Sequence, residues 1–306
     1  MKTSMLRLWI YLLTSVSLLI SCTGTNTRSE PPVAHEVGIA YLNLTTDELL
    51  VYNADELFHA ASTMKTPIMF QLFKMRDAGI LDLSTEVPLD NQFLSIVDGS
   101  LFTLPLNSEA DDILYPFVDE YLSLYEIMEK MITHSSNLGT NILMDYTGPD
   151  SIGATMKSVE ASGVLVMRGV EDLKAHRMGL NNLTSAYGMM KVMEAIYRSD
   201  LVADSSRQAM QNILKQQQFN SMIPAGLPPE VIVGHKTGSI TRIAHDAALV
   251  YPENAPPYVL VILTRGWDDQ AEAEKVGARI SSKVYDYHRG ALELTDIRIP
   301  ELLVKE

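Results

Sequence analysis

The chain has 306 residues, of which 46% are apolar, and a formal net charge of −14 at pH 7. This length and apolar content are ordinary for a globular protein with a large core, and they exclude extensive disorder. A surface this acidic, in a chain without a basic cluster, repels nucleic acid and anionic lipid and so excludes both as partners.

Residues 1–21 have the layout of an export signal. Lys2 and Arg7 precede an apolar run that ends at Ile20 and is short for a membrane-spanning helix. The residues up to Cys22 resemble a bacterial lipobox, in which cleavage leaves a diacylated cysteine at the new N-terminus. An ordinary secretory signal is the alternative. Removal of the leader takes away two cations and no acid, which changes the net charge to −16.

Cys22 is the only cysteine, so the mature chain can form no internal disulfide and must draw its stability from its core. Residues 22–36 are rich in Thr, Asn, Ser and Pro, which predicts a flexible tether with a reach of about 20 Å. We therefore expect an exported domain, residues 37–306, that a lipid anchors to a bacterial membrane in the periplasm or at the cell surface.

Strand-like segments lie at both ends of this domain, and helical segments lie between them. Runs of β-formers at 37–43 and 48–52 predict an antiparallel hairpin, and a helical pattern begins at Ser62 and dominates from 80 to about 215. The other predicted elements are loops at 90–112 and 163–182, strands at 231–233, 247–251 and 258–264, and a helix at 270–288. These elements predict an α/β fold of the α+β type, in which an antiparallel sheet is flanked by helices and carries a mostly helical inserted lobe.

The first of three short motifs is Ser62-Thr-Met-Lys65. A serine hydroxyl is a poor nucleophile until a base removes its proton, and a lysine can do so only when burial or nearby positive charge lowers its pKa. At a helix start this spacing places both side chains on one face, with Ser62 near the positive end of the helix dipole. The motif alone is common in solvated helix starts.

Two further motifs follow along the chain. Ser135-Ser-Asn137 interrupts an apolar helix pattern with small polar residues, which by itself is also typical of a helix cap. Lys236-Thr-Gly-Ser239 ends a strand-like run, where the glycine lets a ligand approach the backbone and the lysine and threonine can bind a carboxylate. Alone, the last motif is also typical of an ordinary strand-to-turn junction.

In this order the three motifs resemble those of the class A β-lactamase and penicillin-binding-protein superfamily, from about Val37 through the final helix. The resemblance implies a serine hydrolase in which Ser62 attacks a carbonyl, Lys65 takes its proton and Ser135 carries the proton to the departing nitrogen. The other residues that it implies are Asn137 for an acylamino side chain, Lys236 and Thr237 for a carboxylate, Gly238 for close approach, and the backbone N–H groups of Ser62 and Ser239 for an oxyanion hole.

Between Arg168 and Thr184 the chain departs from class A enzymes, whose loop carries a water-activating glutamate. Glu171 is the best candidate for that base, but its offset from Arg168 is one residue longer than in the family, and a solvated loop acid is the alternative. Asp172 and His176 are weaker candidates. Because rapid hydrolysis of an acyl-enzyme needs a second base to activate water, this loop decides the outcome of the reaction.

Other conspicuous residues are expected to play secondary roles. Family members often have Asp where this chain has Ser136. Arg242, or the more distant Arg265, is a candidate contact for a substrate carboxylate.

No metal or other cofactor is expected, because four histidines lack the spacing of metal ligands. They are His59, His134, His235 and His245.

The sequence leaves three functions open. The first is β-lactam hydrolysis, the second is a D,D-peptidase or esterase reaction on peptidoglycan stems, and the third is a penicillin-binding sensor or scaffold that is acylated once. In each case the expected partner is a small β-lactam or a peptidoglycan-derived peptide. We expect a monomer that contacts the membrane only through its lipid.

Overall fold

The computed structural model describes residues 35–105 and 113–303. The predicted signal, Cys22 and most of the predicted tether lie outside these residues. Within them, no helix is both long enough and apolar enough to cross a membrane. The strands are β1 (Glu36–Asn43), β2 (Leu49–Tyr52), β3 (Phe58–His59), β4 (Glu86–Pro88), β5 (Phe93–Leu94), β6 (Leu101–Phe102), β7 (Tyr121–Ser123), β8 (Leu183–Thr184), β9 (Ile232–Ile240), β10 (Ile243–Tyr251) and β11 (Tyr258–Arg265). The helices are α1 (Lys65–Asp77), α2 (Leu124–Thr133), α3 (Asn137–Thr147), α4 (Pro149–Ser158), α5 (Leu173–Arg177), α6 (Ala186–Arg198), α7 (Asp204–Leu214), α8 (Gln270–His288) and α9 (Ile299–Leu302).

The main sheet has five antiparallel strands in the order β2-β1-β11-β10-β9. The first hairpin lies beside the last strand, with Ile39 opposite Ile262. The sheet therefore closes from distant parts of the chain, and β9 forms one of its edges. This arrangement, with helices on both faces, confirms the predicted fold class.

The sheet separates two apolar cores because successive side chains of a strand point to opposite faces. In β11, Val259, Val261 and Leu263 pack into the larger core with the helices that lie between α1 and α7. Leu260 and Ile262 pack into the second core, which α8 covers. A strand buried on both faces has a continuous apolar sequence, which is why β11 was predictable.

The long helical segment around residues 124–147 is broken at the second motif, as predicted. Ser123 and Glu126 form a capping box at the start of α2. Ser136 caps α3, and its hydroxyl accepts a hydrogen bond from the N–H of Gly139 at 2.9 Å. Between the two helices, Ser135 has a positive φ of 62°. The interruption therefore turns Ser135 out of the helical path and toward the sheet edge.

The two predicted loops contain short elements and contact each other. The first loop includes the β5–β6 pair, and residues 106–112 at its end lie outside the described part of the chain. The second includes α5. Asp172 caps α5 and accepts hydrogen bonds from the Ser95 hydroxyl at 2.9 Å and the N–H groups of Ile96 and Ala175 at 3.0 Å. This buried carboxylate joins the two loops, a structural role that the sequence did not predict.

Candidate active site

A cavity of about 750 Å³ lies where the edge strand β9 meets the start of α1 and the α2–α3 break. It is lined by residues of all three motifs, among them Ser62, Ser135, Asn137 and Thr237. The structure thus brings together three segments that are far apart in sequence. Glu171 lies on the same cavity, in the second loop.

Ser62 lies in a 3₁₀ turn, Ala61–Met64, that continues into α1, so the α-helix begins three residues later than predicted. Ala61 has a positive φ of 45°, an unusual conformation for a residue with a Cβ. The turn is held by hydrogen bonds from the N–H of Ala60 to Asn182 O at 2.8 Å and from the N–H of Ala61 to His59 Nδ1 at 3.1 Å. Neither of these two bonds involves the N–H of Ser62.

Lys65 is fully buried at the start of α1. Its Nζ donates hydrogen bonds to Asn137 Oδ1 at 2.8 Å, to Ser135 Oγ at 3.2 Å and to the backbone oxygen of Ser135. A lysine ammonium has three protons, so these acceptors can satisfy all of them. The contacts connect the helix that follows Ser62 to the loop of the second motif.

Lys236 approaches Ser135 from the other side. Its Nζ donates to Ser135 Oγ at 3.1 Å and to Thr237 O at 2.8 Å. Burial lowers the pKa of Lys236 to about 7, and the carboxylate of Asp246 opposes that shift. A hydroxyl accepts two hydrogen bonds and donates one, so Ser135 with both lysines as donors keeps its own proton for a ligand in the cavity.

The third motif packs directly on the turn that carries Ser62. A Cβ at Gly238 would lie 2.9 Å from the backbone nitrogen of Thr63 and 3.0 Å from that of Ser62. Real Cβ atoms do not come this close, so only glycine lets β9 pass the turn at this distance. Ser239 follows on β9 and lines the same cavity as Ser62. The two residues whose N–H groups the resemblance implies for an oxyanion hole therefore lie on one cavity.

Glu171 is exposed on the cavity rim and has a positive φ of 63°. Its backbone position is fixed on one side by Asn141, which accepts from the N–H of Val170 at 2.7 Å and donates to Val170 O at 3.0 Å. Among the described residues, no hydrogen bond joins the Glu171 carboxylate to Ser62. The loop therefore brings Glu171 to the cavity without attaching it to the serine.

The other loop candidates have different surroundings. Asp172 is buried, and its carboxylate already accepts hydrogen bonds that cap α5 and join the two loops. These contacts suit a structural role and not a catalytic base. His176 lies on the cavity and its Nδ1 is 2.8 Å from Asn181 Oδ1. Arg168 is buried, and burial lowers the pKa of its guanidinium while Asp172 and Glu171 oppose the shift.

Arg242 and Arg265, the candidate contacts for a substrate carboxylate, are paired with other groups. Arg242 Nε lies 3.0 Å from Asp268 Oδ1, and Arg242 also donates to Gly266 O. Arg265, at the end of β11, pairs with Glu36 and Glu56. Neither arginine is among the residues that line the cavity.

Three of the four histidines that lack metal-ligand spacing, His59, His134 and His245, also line the cavity. His245 Nδ1 accepts the N–H of Thr264 at 3.0 Å, so its proton is on Nε2, which lies 3.0 Å from His59 O. Burial lowers the pKa of His245 to about 4, so the ring is neutral. His59 in turn supports Ala61, a link that sequence spacing cannot reveal. Within residues 35–105 and 113–303, no group of three or more potential ligands could hold a metal ion.

Comparisons with known proteins show what the chain is similar to. The family model described as the β-lactamase enzyme family matches residues 30–288. A β-lactamase from Proteus vulgaris is 26% identical over 250 residues, which cover 78% of this chain and 85% of that protein. The β-lactamase Toho-1 from Escherichia coli is 27% identical over 244 residues, which cover 78% of this chain and 79% of that protein.

Two solved structures share the fold. The structure of PBP-A has a TM-score of 0.73 and 24% identity, and the likeness covers 86% of this chain and 92% of that chain. An ancestral class A β-lactamase has a TM-score of 0.72 and 21% identity, with 82% of this chain and 94% of that chain covered.

Proposed function

The chain belongs to the β-lactamase enzyme family, and on that premise we propose that it hydrolyses β-lactams through an acyl-enzyme on Ser62. The observation that carries the proposal is the pair of buried lysines, Lys65 and Lys236, that donate to the one hydroxyl of Ser135, which lines the same cavity as Ser62. Such an arrangement supplies a base and a proton donor to the cavity of the nucleophile without any cofactor.

In the proposed acylation, Lys65 takes the proton of Ser62 as the hydroxyl attacks the lactam carbonyl. Lys65 is neutral at the start of this step. The lactam nitrogen takes the proton of Ser135, and the Lys65 ammonium then returns a proton to Ser135 through their hydrogen bond, so that Lys236 stays protonated throughout. The N–H groups of Ser62 and Ser239 stabilise the oxyanion, and each such donor is worth about 3 kcal/mol in other enzymes.

Ligand binding is assigned to the same edge strand. Lys236 and Thr237 bind the carboxylate of the substrate, and Asn137 binds its acylamino group. Asn137 is preorganised for this because its Oδ1 accepts from Lys65 at 2.8 Å, which directs its amide N–H₂ away from that lysine.

Hydrolysis of the acyl-enzyme needs a second base that activates water. Glu171 is proposed for this role because it is an acid on the cavity and its backbone is held in place at Val170. Its exposed position predicts slower deacylation than acylation.

The test is intact-protein mass over time after a slight excess of a penicillin or a chromogenic cephalosporin is added. The expected result is a transient adduct with steady product formation by the native protein, and neither adduct nor product with Ser62→Ala. Ser158→Ala is the matched control, because Ser158 is an exposed helical serine far from the motifs. Full turnover by Ser62→Ala would overturn the proposal.

A second candidate is a D,D-peptidase on peptidoglycan stems. The observation that favours it is the exposed Glu171 carboxylate, which among the described residues is not hydrogen-bonded to Ser62. A stable penicillin adduct, together with release of D-alanine from a muropeptide, would favour this candidate. A stable adduct without such release would favour a penicillin-binding sensor.

We also propose that the protein is exported and anchored by a lipid on Cys22. The sequence pattern before Cys22 supports this, as described above. Metabolic labelling with a fatty-acid analogue should label the native chain and not Cys22→Ser. Equal labelling of both would argue against the anchor.

A further inference from the structure

A buried polar chain runs behind the edge strand and ends at the cavity. His235 and Asp246 are both buried, on the neighbouring strands β9 and β10, and His235 Nδ1 lies 2.9 Å from Asp246 Oδ1. His235 Nε2 lies 3.1 Å from the side-chain oxygen of Asn220. Asn220 belongs to the cavity wall that is formed by residues 219–222.

Both nitrogens of the His235 ring therefore face oxygen atoms. The Asn220 amide is oriented by its nitrogen, which lies 3.3 Å from the carbonyl oxygens of Gln217 and Gln218. Carbonyl oxygens can only accept, so Nδ2 must point to them and Oδ1 must point to the ring. Hence Nε2 of His235 must carry a proton.

The other nitrogen faces a carboxylate. Asp246 Oδ2 accepts the N–H of Ile223 at 3.0 Å, and Oδ1 faces His235 Nδ1. The short contact at Nδ1 needs a second proton, and an imidazole binds a proton far more tightly than a carboxylate does in water. The hydrogen bonds are thus all satisfied when His235 carries two protons and Asp246 carries none.

We propose that His235 is a positioning residue, held as an imidazolium between Asp246 and Asn220, that docks the wall of residues 219–222 on the strand that carries Lys236 and Thr237. Asp246 accepts the N–H of Ile223, the residue that directly follows this wall in the chain. Two side chains of the sheet therefore fix one side of the cavity.

The ion pair also balances charge beneath the site. Asp246 lies opposite Thr237 in the sheet and acts electrostatically on Lys236. As an imidazolium, His235 compensates most of that negative charge. The groups of the described residues that face the pair are Lys236 on its own strand, Asn220 and the Ile223 N–H on the wall, and the side chain of Gln217, whose nitrogen lies 3.5 Å from His235 O.

The protonation state is tested first, on the native protein without ligand. Long-range proton–nitrogen correlation spectra of ¹⁵N-histidine-labelled protein should show one ring with both nitrogens protonated at neutral pH. Loss of that signal in His235→Gln assigns it. An unprotonated Nδ1 or Nε2 at His235 would overturn the proposal.

The kinetic part of the inference rests on the proposed function, whereas the spectra do not, so the two can fail separately. Removal of the Asn220 side chain should undock the wall and raise KM about tenfold, the worth of one hydrogen bond to a charged group, with kcat nearly unchanged. Asn220→Ala tests this, and Gln218→Ala is the control, because Gln218 lies on the same segment but does not line the cavity. An unchanged KM in Asn220→Ala would show that the Asn220 side chain does not dock the wall.

His235→Gln removes the positive charge of the ring but keeps a side chain that can form hydrogen bonds. If His235 is an imidazolium, this change leaves the negative charge of Asp246 uncompensated and raises the pKa of Lys236. The alkaline limb of the pH profile of kcat/KM should then move to higher pH. No movement in a folded His235→Gln protein would mean that the ring was neutral, and would contradict the proposal even if KM changed.

Discussion

The cavity has two walls that are built differently. One, which we call the lysine wall, consists of Lys65 at the start of α1, Lys236 on β9 and Ser135 between α2 and α3, and both lysine side chains donate to the Ser135 hydroxyl. The other, the loop wall, consists of residues 168–182, which are held mainly through the backbone. Groups that must exchange a proton are held by side-chain contacts, while the acid that would activate water is carried on a loop.

This difference indicates how the two half-reactions can diverge. Acylation depends on the lysine wall, where buried charges leave little freedom of position. Deacylation depends on the loop wall, where Glu171 is exposed. Related chains can therefore keep the first step and lose or gain the second by changes in the loop alone.

The largest effect is expected at the centre of the lysine wall. Lys65→Met removes the base and leaves Ser135 and Asn137 without their shared donor, so the rate of acylation by a penicillin should fall about 10³-fold. The rate of adduct formation, followed by intact mass, measures it. Lys157→Met is the control, since Lys157 is exposed at the end of α4. A loss of less than about tenfold would show that another group removes the proton.

The next effect should separate the two walls. Glu171→Gln keeps the shape of the side chain but removes the base, so deacylation should slow about 10²-fold and the adduct should accumulate, with acylation unchanged. Single-turnover mass measurements resolve both rates. Equal slowing of both steps would mean that Glu171 supports the cavity and not the chemistry. No change in either rate would mean that Glu171 is a solvated loop acid without a role in the reaction.

A pH effect should follow from the lysine wall. Burial lowers the pKa of Lys236 to about 7. The protonated form that binds a carboxylate is therefore present below this pH and is lost as the pH rises through it. We expect kcat/KM to fall toward a tenfold loss for each pH unit above about 7. In Lys236→Arg the fall should be absent, because arginine stays protonated. If both proteins show the same alkaline limb, the group that titrates is not Lys236.

The sequence predicted the features that depend on periodicity or on short motifs. Helix α8 has the predicted bounds, 270–288, because its apolar positions recur at helical spacing. The sequence could not reveal contacts that arise when the sheet closes. Thr237 faces Asp246 only through the register of β9 and β10, and the carboxylate of Asp172 meets Ser95 across 77 positions of the chain. The pairing of Arg242 with Asp268 was unpredictable for the same reason, since Asp268 lies beyond the next two strands.

The smallest effect is expected where the two walls meet, at His59. Its Nδ1 accepts the N–H of Ala61 on the serine turn, while burial and, to a smaller extent, Arg168 and His176 of the loop wall lower its pKa. The ring must be neutral to accept, so the bond is intact above the lowered pKa and is lost as the pH falls through it. His59→Phe should reduce the acylation rate about fivefold at neutral pH, the worth of one neutral hydrogen bond, and should abolish the acid limb that this titration causes. His59→Asn, whose side-chain oxygen can take the place of Nδ1, should restore the neutral rate but not the acid limb. If His59→Phe acylates as fast as the native protein at every pH, the strained turn at Ala61 is held by Asn182 and the packing of Gly238 alone, and the two walls are independent.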